Sequence, residues 1–153
     1  MKKTLSLLCA AALLSGCVAT GNAPYCNQYV IALMKQKNIY LPQTSANGLD
    51  NYLKNSKEWA RVPRVNGRLD HAAAHKAAKK GRTVLAAYNT GTGRSGHIAE
   101  VYGKKAMRKS TSFNAFVPYV NGTVNGSKPA VMLMSQQFHA SKERQINYYI
   151  YKK

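Results

Sequence analysis

Acidic residues are scarce in this 153-residue chain: five Asp and Glu stand against 23 Lys and Arg, a formal charge of +18. That imbalance excludes an acidic surface and implies a polyanionic partner, with nucleic acid, anionic lipid, lipopolysaccharide and the bacterial cell wall as the available classes. Long apolar runs are absent as well, since the longest, residues 5–14, is too short to cross a bilayer. The length excludes a multidomain machine. Cysteine is sparse, at three residues, and Trp occurs once. What is plentiful is tyrosine, ten residues, within a chain that is 45% apolar, and such a composition buries a core rather than forming a disordered basic tail.

The N-terminus narrows the partner classes. Lys2 and Lys3 precede the short apolar run, and Leu14-Ser15-Gly16-Cys17 follows it, the order of a secretory signal ending in a lipobox. Residues 1–16 are therefore expected to be a lipoprotein signal peptide, with Cys17 lipidated and residues 17–24 a short tether to a domain over 25–153. Val18 after the lipidated position is similar to the outer-membrane sorting pattern of Gram-negative bacteria. The expected location is periplasmic, and nucleic acid falls away as a partner. Without Lys2 and Lys3 the remaining 21 basic and five acidic side chains still leave +16.

Cysteine usage then isolates one thiol. Cys9 departs with the signal and Cys17 carries lipid, so Cys26 has no disulfide partner in an oxidising compartment. It is either buried and inert or kept for its reactivity. Apolar residues at 26, 29, 30, 33 and 34 have the helical period, and Asn38 with Pro42 ends the run, placing Cys26 at a helix start. A second helix is expected over 44–55 after a Thr/Ser cap. A third, Ala-rich, is expected over 69–80, with Asn66 as cap candidate and Gly81 closing it.

Past Gly81 the pattern changes to strands. Residues 83–88 and 97–102 read as a hairpin around a glycine-rich turn, 113–120 and 130–134 as further strands, and 145–151 as a last one. Helices followed by an antiparallel sheet make an α+β domain. A thiolate nucleophile needs a helix start and an adjacent imidazole to lower the thiol pKa, and Cys26 with His97 supplies both residue types. Alternation along the strand sets His97, Ala99 and Val101 on one face and Ile98, Glu100 and Tyr102 on the other, so Glu100 is poorly placed to orient His97. The orienting group is expected from the next strand, with Ser110, Ser112, Asn114 and Asn121 open as candidates, or from a backbone carbonyl. The backbone N–H of Cys26 is the first oxyanion donor.

Several blocks carry a family resemblance: Tyr25-Cys26-Asn27-Gln28-Tyr29-Val30, Ile39-Tyr40-Leu41-Pro42, Ser45-Ala46-Asn47-Gly48-Leu49, Gly81-Arg82, Ser95-Gly96-His97-Ile98-Ala99 and residues 144–151. In order and content they resemble the family 1 amidase effectors of type VI secretion, which belong to the papain-like NlpC/CHAP-type peptidoglycan cysteine peptidases. The resemblance implies a papain-like fold with N-terminal helices on an antiparallel sheet, Cys26 as nucleophile and His97 as base. It also implies cleavage of the γ-D-glutamyl–meso-diaminopimelate bond of peptidoglycan stem peptides. No cofactor and no metal are called for, and the expected unit is a monomer. Such effectors are injected without a signal peptide, so the lipobox points to a resident lipoprotein with an effector-like domain, restrained by an inhibitory protein partner. Two other functions remain open: a noncatalytic basic lipoprotein that binds peptidoglycan or lipopolysaccharide, and a thiol acyltransferase acting on lipid.

His71 and His75, spaced i,i+4 without an adjacent Glu, read as packing histidines rather than metal ligands. His139 has no evident partner. The Lys and Arg at 76, 79, 80, 82, 94, 104, 105, 108 and 109 form a cationic group around the third helix and the segment after His97, with stem-peptide carboxylates and lipopolysaccharide phosphates as available partners.

Overall fold

A computed structural model describes residues 25–91, 96–124 and 127–153. The expected signal peptide, Cys17, the tether and part of the glycine-rich turn lie outside the described residues. The first helix, α1 (Cys26–Gln36), begins at the thiol. It ends where Asn38 takes a left-handed φ of 57°. Helix α2 (Ala46–Asn55) is capped by Ser45, whose hydroxyl accepts from the Gly48 N–H. A short strand, β1 (Trp59–Arg61), precedes α3 (His71–Lys79). The α3 cap is Asp70, accepting from Ala73 at 2.8 Å. Asn66, the residue expected there, instead adopts φ 50° in the preceding turn. Gly81 closes the helix at φ 84°, a conformation open to a residue without Cβ.

Strands β2 (Val84–Tyr88) and β3 (His97–Tyr102) form the expected hairpin, pairing Tyr88 with His97 and Leu85 with Glu100. The single strand expected over 113–120 is divided. Residues β4 (Arg108–Ser110) and β5 (Ala115–Val117) make a separate two-stranded hairpin, and β6 (Tyr119–Gly122) joins the main sheet. Pro118 falls between them, where its missing N–H cannot continue a ladder. Strand β7 (Ala130–Leu133) follows, but Met134 starts a short helix, α4 (Met134–Gln137), instead of ending the strand. The last strand is β8 (Ile146–Tyr151).

The six-stranded antiparallel sheet has the order β1-β8-β2-β3-β6-β7. Period-two alternation gives it two apolar faces. On one, Leu85, Ala87, Ile98 and Tyr149 pack against Val30, Ile31 and Met34 of α1 and Leu49 and Leu53 of α2. On the other, Val84, Ala86, Ala99, Val101, Val120 and Tyr148 pack against Ala74 of α3, Met134 of α4 and Val117 of the hairpin. The domain is α+β, as expected, with one refinement: the third helix lies on the opposite face from the first two. Both cores are built wholly from residues within 30–149. No helix among the described residues is long and apolar enough to cross a membrane.

Candidate active site

Cys26 is the first residue of α1 and is half-buried against the α1–α2 core. Tyr25 precedes it, its N–H bonded to the Gln28 side chain at 3.3 Å. The backbone N–H groups of Ile98, Asn27 and Cys26 itself act to lower the thiol pKa. Those donors favour the thiolate, as a helix start should, but burial outweighs them and pushes the thiol pKa up rather than down. The helix start expected to lower the thiol pKa does not by itself do so.

His97 opens β3, next to Ile98, whose N–H acts to lower the thiol pKa. Its ring turns to the Ala99 face and packs edge-on to Phe138 at 4.7 Å. Burial lowers its pKa, opposed by a hydrogen bond with Gln137. That bond joins His97 Nε2 and Gln137 Oε1 at 3.4 Å. The Gln137 amide nitrogen donates to the carbonyls of Val120 and Ala130. Because the nitrogen is committed to carbonyls, the oxygen faces the ring, and His97 Nε2 must carry the hydrogen. Nδ1 is then the unprotonated nitrogen, free to take a proton. Tyr88, paired with His97 across the hairpin, also belongs to this end of the sheet: burial and then the charge of Cys26 raise its pKa.

The side chain that bonds the His97 ring is Gln137 on α4. The candidates put forward from sequence have other partners. Asn121 lies opposite Glu100, on the α1 face, and accepts from the Tyr29 hydroxyl at 3.0 Å. Ser112 bonds Ser110. Asn114 sits at φ 46° in the hairpin turn. Glu100 pairs with Lys37 at the end of α1. Gln137 escaped notice because its approach depends on Gly122: a Cβ there would lie 2.5 Å from Gln137 Oε1 and 2.9 Å from the Ala99 Cβ.

A polar brace holds the two halves of the site. Asn27 donates to the Thr44 carbonyl at 2.8 Å. Asn47 accepts from the Thr90 N–H at 3.1 Å and donates to its hydroxyl at 3.2 Å. Asn89 donates to the Asn47 carbonyl and to the Asn51 side chain. Gly96 completes the contact, since a Cβ would meet the Tyr88 carbonyl at 2.2 Å and Asn47 Oδ1 at 2.4 Å. The start of α1, the start of α2 and the β2–β3 turn are thus tied together beside His97.

The remaining histidines have packing partners. His71 Nδ1 lies 2.7 Å from the Tyr148 hydroxyl, and His75 Nε2 lies 2.8 Å from the Lys105 carbonyl. His139 caps a 3-10 turn through Ser141. Among the described residues no three His, Cys, Asp or Glu side chains converge as metal ligands. No protein-family model matches the chain, and no curated protein matches it in sequence.

Proposed function

We propose that the chain is a lipid-anchored cysteine amidase of papain-like, NlpC/CHAP-type architecture, held at the outer membrane by Cys17 and cleaving peptidoglycan stem peptides. The observation that carries this reading is the thiol at the first residue of α1, a helix that packs on β3, while the first residue of β3 is a histidine whose tautomer Gln137 sets. The family resemblance in the Cys26 and His97 blocks supplies the substrate class and the γ-D-glutamyl–meso-diaminopimelate bond.

In the resting site burial favours the uncharged forms of both Cys26 and His97. The proton moves when a substrate carbonyl arrives: His97 Nδ1 takes it from Cys26, and the sulfur attacks the amide carbon. The Cys26 N–H stabilises the developing oxyanion. Collapse to a thioester releases the amine, protonated by His97, and a water activated by the same ring hydrolyses the thioester. Gln137 supports each transfer by keeping the ring in one tautomer and orientation.

The competing reading is a noncatalytic basic lipoprotein that binds peptidoglycan or lipopolysaccharide, and the upward shift of the Cys26 pKa favours it. Purified sacculi separate the two. Protein starting after Cys17 is incubated with them beside Cys26→Ala and His97→Ala, and released muropeptides are identified by mass spectrometry. Fragments from wild type and from neither variant are expected and name the bond. Sacculi that stay intact while all three proteins sediment with them would replace the amidase by the binding lipoprotein.

A further inference from the structure

All five acidic side chains of the protein lie among the described residues, and each is engaged. Asp50 accepts from Tyr149, Asp70 caps α3, and Glu58, Glu100 and Glu143 pair with Lys153, Lys37 and Arg68. None is paired with the lysines of α3 or with the basic segment after β3. Those two stretches adjoin. Gly103 sits so close that a Cβ would lie 2.3 Å from the Ala78 carbonyl carbon, and His75 bonds the Lys105 carbonyl. Lys76, Lys79 and Lys80 therefore continue into Lys104, Lys105, Arg108 and Lys109, all exposed and without an acidic partner among the described residues.

Two further features mark this surface. Arg108 and Lys109 border a cavity of about 670 Å³ that also receives the hydroxyl-bearing residues Thr111, Ser112 and Ser135, a lining rich in donors for a phosphate oxygen. Beside them Phe116, 60% exposed, is the direct cross-strand partner of Lys109, so an aromatic ring projects from the same side of the hairpin as a cation. Exposed aromatic rings among basic side chains suit the headgroup boundary of a bilayer, where the ring leaves water and the cations meet lipid phosphates.

We propose that α3, the β3–β4 turn and the β4–β5 hairpin form a docking surface for anionic phospholipid, with lipid phosphate entering the cavity that Arg108 and Lys109 border. It is separate from the Cys26 site and holds the domain against the membrane face.

The test is sedimentation of the 18–153 protein, which contains both cores, with vesicles of phosphatidylcholine alone or with phosphatidylglycerol added. Binding to the mixed vesicles, reversed by salt, is expected, at a level unchanged in Cys26→Ala. Each basic side chain removed from the surface should weaken it about fivefold, so Arg108→Ala/Lys109→Ala and Lys79→Ala/Lys80→Ala should each lose on the order of 25-fold. Phe116→Ala should weaken binding without altering its salt dependence. Lys54→Ala/Lys57→Ala lowers net charge equally on the α2 side and should leave binding intact. Equal loss in that control would show that total charge rather than this surface acts and would overturn the proposal. So would equal binding to both vesicle types, or stronger binding to duplex DNA than to phosphatidylglycerol at matched salt.

Discussion

Gln137 turns its amide oxygen to His97 Nε2 at 3.4 Å while its amide nitrogen is held by two backbone carbonyls, so the glutamine dictates which imidazole nitrogen carries the hydrogen. Gln137→Ala should lower kcat on stem-peptide substrates by on the order of a hundredfold with little change in KM. Gln137→Glu should restore much of the loss and raise the His97 pKa, moving the acid limb of the rate profile upward. A merely structural glutamine would shift neither the limb nor the kcat-to-KM split.

Gly122 leaves the space this contact needs. Gly122→Ala places a methyl group 2.5 Å from Gln137 Oε1, so activity should fall toward that of Gln137→Ala. The accompanying loss of stability should be about 1–3 kcal/mol, read from urea midpoints.

Burial lowers the His97 pKa, so the neutral, proton-accepting ring persists below the usual histidine range near 6.5. The acid limb of kcat/KM, a property of the free enzyme, should therefore inflect below that value. An inflection above it would contradict the buried imidazole.

Burial acts oppositely on the thiol. Alkylation of Cys26 by iodoacetamide should be slow at neutral pH and climb through and beyond the ordinary thiol range. A plateau reached below pH 7 would show a resting thiolate and a different activation from the one proposed.

His71 carries a pH-dependent share of stability. Its pKa falls to about 4, chiefly through burial, against a value near 6.5 in the unfolded chain. The unfolded state therefore binds the extra proton first, and stability declines as pH drops from about 6.5 to about 4, then stays level with respect to this group. The decline should be on the order of 3 kcal/mol. Urea midpoints of wild type and His71→Phe, compared at pH 7 and pH 4.5, should show a smaller loss in the variant.

Local patterning determined much of this protein. The apolar period from Cys26 defined α1, and alternation in His97-Ile98-Ala99-Glu100-Val101-Tyr102 assigned side chains to the two sheet faces because a pleated strand admits only one alternation. The same pattern separated Glu100 from His97. Charge counting identified the excess of cations, which no arrangement of five acids can neutralise. Tertiary structure decided what depends on residues distant in sequence. Pro118 divided one expected strand into a hairpin edge and a sheet strand, with different partners for each. The approach of Gln137 required β7 and α4 to return over β6 at a glycine, and nothing in the local sequence around position 137 encodes that path. The thiol pKa was likewise beyond local reading: the helix start favours the thiolate, but the depth of burial set by α1 packing on β3 outweighs it.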